Sequence, residues 1–115
     1  MKAEGDDLRL AYMEPESSES GMKLQELDAY RHGFPFKSSR FTIEPGGISP
    51  LDKHSVAELW IVIEGIGELA YNDKSYEVKA GDAVYFEPFQ THLIRNHSPQ
   101  PLKVLSFWWP KQCST

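Results

Sequence analysis

Turn-forming residues divide this chain into short apolar segments, and this pattern constrains the fold more than any other feature. The segments 40–43, 58–63 and 83–86 are each followed closely by glycine or proline, and Asn72-Asp73 predicts a hairpin turn. No segment shows the apolar periodicity of an amphipathic helix. Short segments that end at regularly spaced turns are typical of antiparallel sheets, so we expect an all-β sandwich or a small antiparallel β-barrel.

Length and charge limit how the chain can be organised. Its 115 residues suit one domain with one core. Residues 1–21 are acidic and rich in serine and glutamate, which predicts a loop-like N-terminal segment, and residues 22–115 are expected to form the domain. A net charge of −5 argues against nucleic acid as a partner. No apolar run is long enough for a signal peptide or a membrane span, so a cytoplasmic protein without membrane contact is expected.

Two predicted strands are apolar on both faces. In the segment 58–63 both alternating sets of side chains are apolar apart from Glu58, and the segment 102–109 ends in Phe-Trp-Trp. Exposing that much apolar surface is unfavourable, so something must cover the second face. The cover is either a second subunit, which predicts a homodimer, or residues 22–36 of the same chain.

Two segments concentrate residues that can bind a metal ion. His54 and Glu58 lie in the first segment, and His92 follows Pro88 in the second. A carboxylate at the start of an apolar strand needs a compensating partner. Positions 54 and 58 share a strand face because their separation is even, and a hairpin connection can bring His92 alongside. Imidazole and carboxylate ligands suit Mn, Fe, Ni or Zn, so the sequence predicts a site for one divalent transition metal.

The same two segments resemble the two sequence motifs of the cupin superfamily, over residues 40–109. The first motif is matched at Pro45, Gly46, Pro50, His54, Glu58 and Gly65, and the second at Gly81, Asp82, Pro88, His92 and Asn96. The resemblance implies a cupin-like, jelly-roll-like double sheet. It also implies that His54, Glu58 and His92 form the metal core.

The chain departs from the cupin motifs at two positions. Asp52 stands where the first histidine of the first motif is expected, and Phe89 stands where the second motif usually has glycine. Asp52 can ligate the metal through oxygen, or turn outward and pair with a cation such as Lys53. A third alternative is that the site has lost its metal.

A substrate pocket is expected beside the metal. Its candidate residues are Arg40, Trp60, Tyr85, Phe89 and Trp108. An arginine can hold a substrate carboxylate bidentately, and aromatic side chains commonly line small-molecule sites. The sequence identifies no catalytic residue. The leading hypothesis is a metal-dependent enzyme that performs Lewis-acid chemistry on a small oxygenated metabolite, as an isomerase, epimerase or lyase. The alternatives are an iron-dependent dioxygenase and a non-catalytic module that binds a small molecule.

Overall fold

The computed structural model describes residues 8–28, 32–51 and 55–111 of the chain, and it folds them into β-structure. The strands are β1 (Glu16–Ser17), β2 (Met22–Glu26), β3 (Lys37–Ile43), β4 (Ala57–Glu64), β5 (Ile66–Tyr71), β6 (Lys74–Lys79), β7 (Ala83–Phe86), β8 (His92–Arg95) and β9 (Leu102–Trp109). Nothing within these described ranges forms a helix long and apolar enough to cross a membrane.

Two antiparallel sheets pack against each other. The large sheet has the strand order β1-β2-β3-β9-β4-β7, and the small sheet has the order β6-β5-β8. A bridge between Ile48 and Arg95 links the loop after β3 to the free edge of β8. The prediction of an all-β, cupin-like double sheet is therefore confirmed, and the β5–β6 hairpin turns at Asn72-Asp73 as expected.

The core lies between the sheets because successive strand residues point to opposite faces. On β4, Trp60 and Val62 face inward and are almost fully buried, whereas Leu59 and Ile61 on the outer face are only half-buried. The residues that complete the core are Phe41, Ile43, Leu69, Val78, Phe86, Ile94, Leu102 and Val104.

Turn residues of the two motifs meet in one hydrogen-bonded clamp around Asn96. Asn96 is fully buried, and its side-chain amide donates to the carbonyl oxygens of Ile43 at 2.9 Å and Gln100 at 2.7 Å. Its backbone N–H donates to the carbonyl of Gly47 at 3.0 Å. A Cβ on Gly47 would lie 2.9 Å from a backbone oxygen, so only glycine fits this close approach. The clamp fixes the start of the first motif against the end of the second.

The N-terminal segment contributes to the large sheet. Residues 1–21 were expected to be loop-like, yet Glu16 and Ser17 pair with β2, and Tyr12 forms a bridge with Leu27. The guanidinium of Arg40 lies 3.6 Å from the centre of the Tyr12 ring, which fastens the segment to β3. Alternating apolar and polar residues in Met22–Glu26 are the sequence signal for this added edge.

Candidate metal centre

A buried carboxylate and a buried imidazole meet between the two sheets. Glu58 lies on β4 of the large sheet, and His92 begins β8 of the small sheet. Only 8% of Glu58 and 2% of His92 are exposed. Oε1 of Glu58 lies 3.1 Å from Nε2 of His92. The two residues that the sequence placed on separate strands are therefore brought into direct contact.

The other oxygen of Glu58 is fixed by two neighbouring side chains. Trp60 donates its indole N–H to Oε2 at 2.7 Å, and Ser106 donates its hydroxyl to the same atom at 2.6 Å. Burial by itself would raise the pKa of Glu58. The contact with His92 and the hydrogen bonds from Ser106 and Trp60 outweigh that effect and hold the pKa below its ordinary value. Glu58 is therefore an ionised carboxylate inside the protein.

The imidazole of His92 is held by aromatic rings. It stacks on Phe86 with centroids 4.1 Å apart and planes 5° from parallel, and the edge of Trp60 approaches it at 5.2 Å. Nδ1 lies 3.4 Å from the carbonyl oxygen of Gln90, at the outer limit of a hydrogen bond. A proton on Nδ1 would leave the lone pair on Nε2, the nitrogen that faces Glu58.

Glu58 lies at the inner end of a cavity of about 470 Å³ that opens over the inner face of the large sheet. Apolar and polar side chains both line it. The lining residues are Glu16, Met22, Leu24, Glu26, Ser39, Phe41, Ser55, Val56, Glu58, Ser106 and Trp108. A small molecule that entered this cavity would contact the side chains of Glu58 and Ser106 in its lining.

Two side chains of the types that bind transition metals converge here, and they do not by themselves complete a metal site. Oε1 and Nε2 are both buried and do not meet each other in hydrogen-bond geometry, although they are 3.1 Å apart. One carboxylate and one imidazole that converge in this way are two ligands suited to Mn, Fe, Ni or Zn. Within residues 8–28, 32–51 and 55–111, no group of three or more His, Cys, Asp or Glu side chains could hold a metal ion. His54 and Asp52, the other two predicted ligands, lie outside the described residues.

Two of the five predicted pocket residues lie at the site. Trp108 lines the cavity, and Trp60 holds the Glu58 carboxylate. The sequence missed Ser106, which pairs with Trp60 across β4 and β9. Its signal was the single small polar residue in the otherwise apolar inward set Leu102, Val104, Ser106 and Trp108.

The remaining three predicted pocket residues lie away from the cavity. Arg40 follows the inward-facing Ser39 on β3, so it points outward, where it donates to Gln25 at 3.0 Å. Tyr85 alternates with the inward-facing Phe86 and receives a hydrogen bond from Lys111 at 3.1 Å. Phe89 has φ of 64° in the loop before β8 and is 62% exposed.

Comparison with known proteins identifies the family of this chain. The family described as "Cupin domain" matches residues 39–108. An uncharacterised protein of Methanocaldococcus jannaschii is 35% identical over 66 residues, which are 56% of this chain, and the match spans about half (53%) of that relative's length.

Two solved structures share the fold. A Cupin 2 conserved barrel domain protein from Salinispora arenicola has a TM-score of 0.73 and 25% identity, and the match covers 95% of this chain and 86% of that one. A predicted oxalate decarboxylase from Thermotoga maritima has a TM-score of 0.73 and 21% identity, covering 89% and 94%. The family match covers more than half of the chain, and the double sheet is the fold that the chain shares with the solved structures. This chain therefore belongs to the cupin family.

Proposed function

We propose that the protein is a metal-dependent cupin enzyme that acts on a small oxygenated metabolite. His54, Glu58 and His92 would hold one divalent transition metal, with Asp52 as a further candidate ligand. The observation that carries the proposal is the contact between a buried, ionised carboxylate and a buried imidazole at the base of a cavity. Burying a charge in this way is costly, and a role in binding a cation accounts for it.

The bound ion would act as a Lewis acid on a carbonyl or hydroxyl oxygen of the substrate. The residues around it have separate tasks. Trp60 and Ser106 fix Oε2 of Glu58, so the orientation of the carboxylate is set before any ligand arrives. Leu24 and Phe41 give the cavity apolar walls that limit the entry of water.

One of the solved structures that share the fold is a predicted oxalate decarboxylase. At 21% identity that similarity concerns the fold alone. Since one fold hosts many reactions, the substrate and the reaction must be argued from the site.

Elemental analysis of protein purified without a metal-affinity tag tests the proposal. We expect close to one equivalent of Mn, Ni or Zn per chain, and a strong loss in His54→Ala, which probes the ligand outside the described residues. Redox-active iron would instead favour a dioxygenase. Absence of any bound metal, together with no uptake of added Zn²⁺ or Mn²⁺, would contradict the enzyme proposal and favour a non-catalytic binding module.

We also propose that the protein is a homodimer in which outer faces of the large sheets meet. Half of Ile63 is exposed, and Leu59, Ile61 and Phe107 on the same face are only partly buried. Burial against a second copy would remove this apolar surface from water.

Sedimentation velocity at micromolar concentration tests the dimer, which we expect to be disrupted by Ile63→Lys. Ile66→Lys is the matched control, because Ile66 is equally exposed (48%) but lies on the small sheet. A wild-type particle of 13.1 kDa would rule the dimer out.

A further inference from the structure

The outer wall of the cavity comes from a part of the chain that precedes the family match. Glu16, Met22, Leu24 and Glu26 line the cavity, whereas the cupin match begins at residue 39. The β1–β2 hairpin therefore adds a wall that the family region of this chain does not contain. A wall of this kind can set which ligand enters without changing the metal core.

Two carboxylates of this hairpin lie close together at the cavity. Glu16 is opposite Leu24 in the β1–β2 register, so it is diagonal to Glu26, at a Cβ separation of about 7–8 Å or less. Neither carboxylate forms an ion pair with another residue in the described ranges. The mouth therefore carries two negative charges that no described side chain neutralises.

A polar strip leads from this mouth to the base of the cavity. The strand registers place Glu26 opposite Ser39, and Ser39 opposite Ser106. The hydroxyl of Ser106 then donates to Oε2 of Glu58, while Oε1 of Glu58 is buried and has no aligned donor among the described residues. With strands about 4.8 Å apart, the strip from Glu26 to Ser106 is about 10 Å long. It is long enough for a small ligand that contacts both ends.

The rest of the lining suits a positively charged group. Trp108 and Phe41 add aromatic surface, which attracts cations through the ring electrons. No lysine or arginine of the described ranges lines the cavity. The carboxylates and aromatic rings of the described lining favour cationic ligands over anionic ones.

We propose that the β1–β2 hairpin makes this cavity selective for small ligands that carry a positive charge, such as alkyl amines, over carboxylates and phosphates. The charged group would lie between Glu16 and Glu26, with its uncharged part directed toward Glu58. The inference rests on the proposed function in that it places the ligand in the same cavity, but it concerns the mouth and not the metal.

Paired nitroxide probes test this selectivity. The ¹⁵N-labelled full chain is stripped of metal and examined both metal-free and after addition of Zn²⁺. The relaxation enhancement of the backbone amides of Leu24, Ser55 and Val56 is measured with cationic 4-amino-TEMPO and with anionic 4-carboxy-TEMPO. At low ionic strength we expect the relaxation enhancement at these amides to be about threefold larger with the cationic probe than with the anionic probe. This ratio of enhancements should fall toward one as salt is added.

The double variant Glu16→Gln/Glu26→Gln should bring that ratio close to one. Glu14→Gln/Glu19→Gln is the matched control, since it removes two charges from exposed positions of the same segment that do not line the cavity. A wild-type ratio at or below one, or an equal fall in both double variants, would overturn the inference. Failure to take up Zn²⁺ with the charge preference intact would contradict only the proposed function.

Discussion

Two glutamate–histidine pairs in this protein have the same contact distance and opposite surroundings. Oε1 of Glu58 lies 3.1 Å from Nε2 of His92, and Oε1 of Glu68 lies 3.1 Å from Nε2 of His97. The side chains of His92 and Glu58 are 3% and 11% exposed, whereas those of His97 and Glu68 are 68% and 45% exposed. Both histidines belong to the same short stretch of chain, at the start of β8 and just after its end.

The difference between the pairs shows that burial, and not the contact distance, determines how much such a pair affects stability and ligand binding. Water and salt screen the exposed pair, so it contributes little to stability or to ligand binding. The buried pair is kept from water by Phe86 and Trp60, and there the removal of one partner leaves the other in an unfavourable environment. The exposed pair is therefore a matched control for the buried one.

Metal binding should separate the pairs most strongly. We expect Glu58→Ala and His92→Ala to lower the affinity for Zn²⁺ or Mn²⁺ by more than about tenfold, because each removes a proposed ligand. Glu68→Ala and His97→Ala should leave it unchanged. Isothermal titration of the stripped proteins measures this. Equal affinities in all four variants would place the ion elsewhere in the chain.

The stability of the metal-free protein should also differ between the pairs. Glu58→Ala removes the acceptor of Trp60 and Ser106 and leaves His92 without its carboxylate, so we expect a loss of about 3 kcal/mol in the free energy of unfolding. Glu68→Ala should cause no measurable loss. Urea denaturation monitored by tryptophan fluorescence gives both values. A Glu58→Ala protein as stable as the wild type would show that the buried network is not stabilising.

Acid should reveal the lowered pKa of Glu58. A carboxyl group stabilises the folded protein when its pKa is lower in the folded than in the unfolded state. This stabilisation is complete above the pKa of the unfolded state, near 4.5, and it is lost as the pH falls through the pKa of the folded state. Metal-free wild type should therefore lose more stability than Glu58→Gln between about pH 5 and pH 3. Parallel stability curves for the two proteins would contradict this.

The smallest expected effect concerns the exposed pair. A hydrogen bond from His97 holds the pKa of Glu68 below its ordinary value. His97→Ala should let that pKa return toward the ordinary value and leave the pKa of Glu58 unchanged, as measured by ¹³C NMR of the carboxyl groups. A change at Glu58 would show that the pairs are coupled through β8.

Part of this site follows from local pattern. The alternation along 58–63 and the spacing of turns correctly predict a strand with Glu58 and Trp60 on one face, and the second motif places His92 at the start of a strand. The same alternation places Arg40, which was predicted to line the pocket, on the outer face of β3. Because Arg40 has the opposite parity to Phe41, it faces away from the cavity.

The N-terminal segment was harder to interpret from its composition. An acidic, serine-rich stretch is typical of loops, and only the short alternation in β2 indicated an edge strand. The pairing of β1 with β2, and of β2 with β3, makes Glu16 and Glu26 part of a cavity wall. Composition indicates whether a segment as a whole favours contact with water. It does not indicate which strand of a sheet that segment will pair with.

The sequence by itself determined the class of the fold, the family and the identity of the two residues that meet at the site, because alternation, turn chemistry and motif order are local properties of the chain. The tertiary structure alone decided that Ser106 would donate to Glu58 across 48 positions of sequence, and that Glu26, Ser39 and Ser106 would form one strip. These contacts depend on which strands pair and in which register. Register is set by the packing of the whole core, and no single segment encodes it.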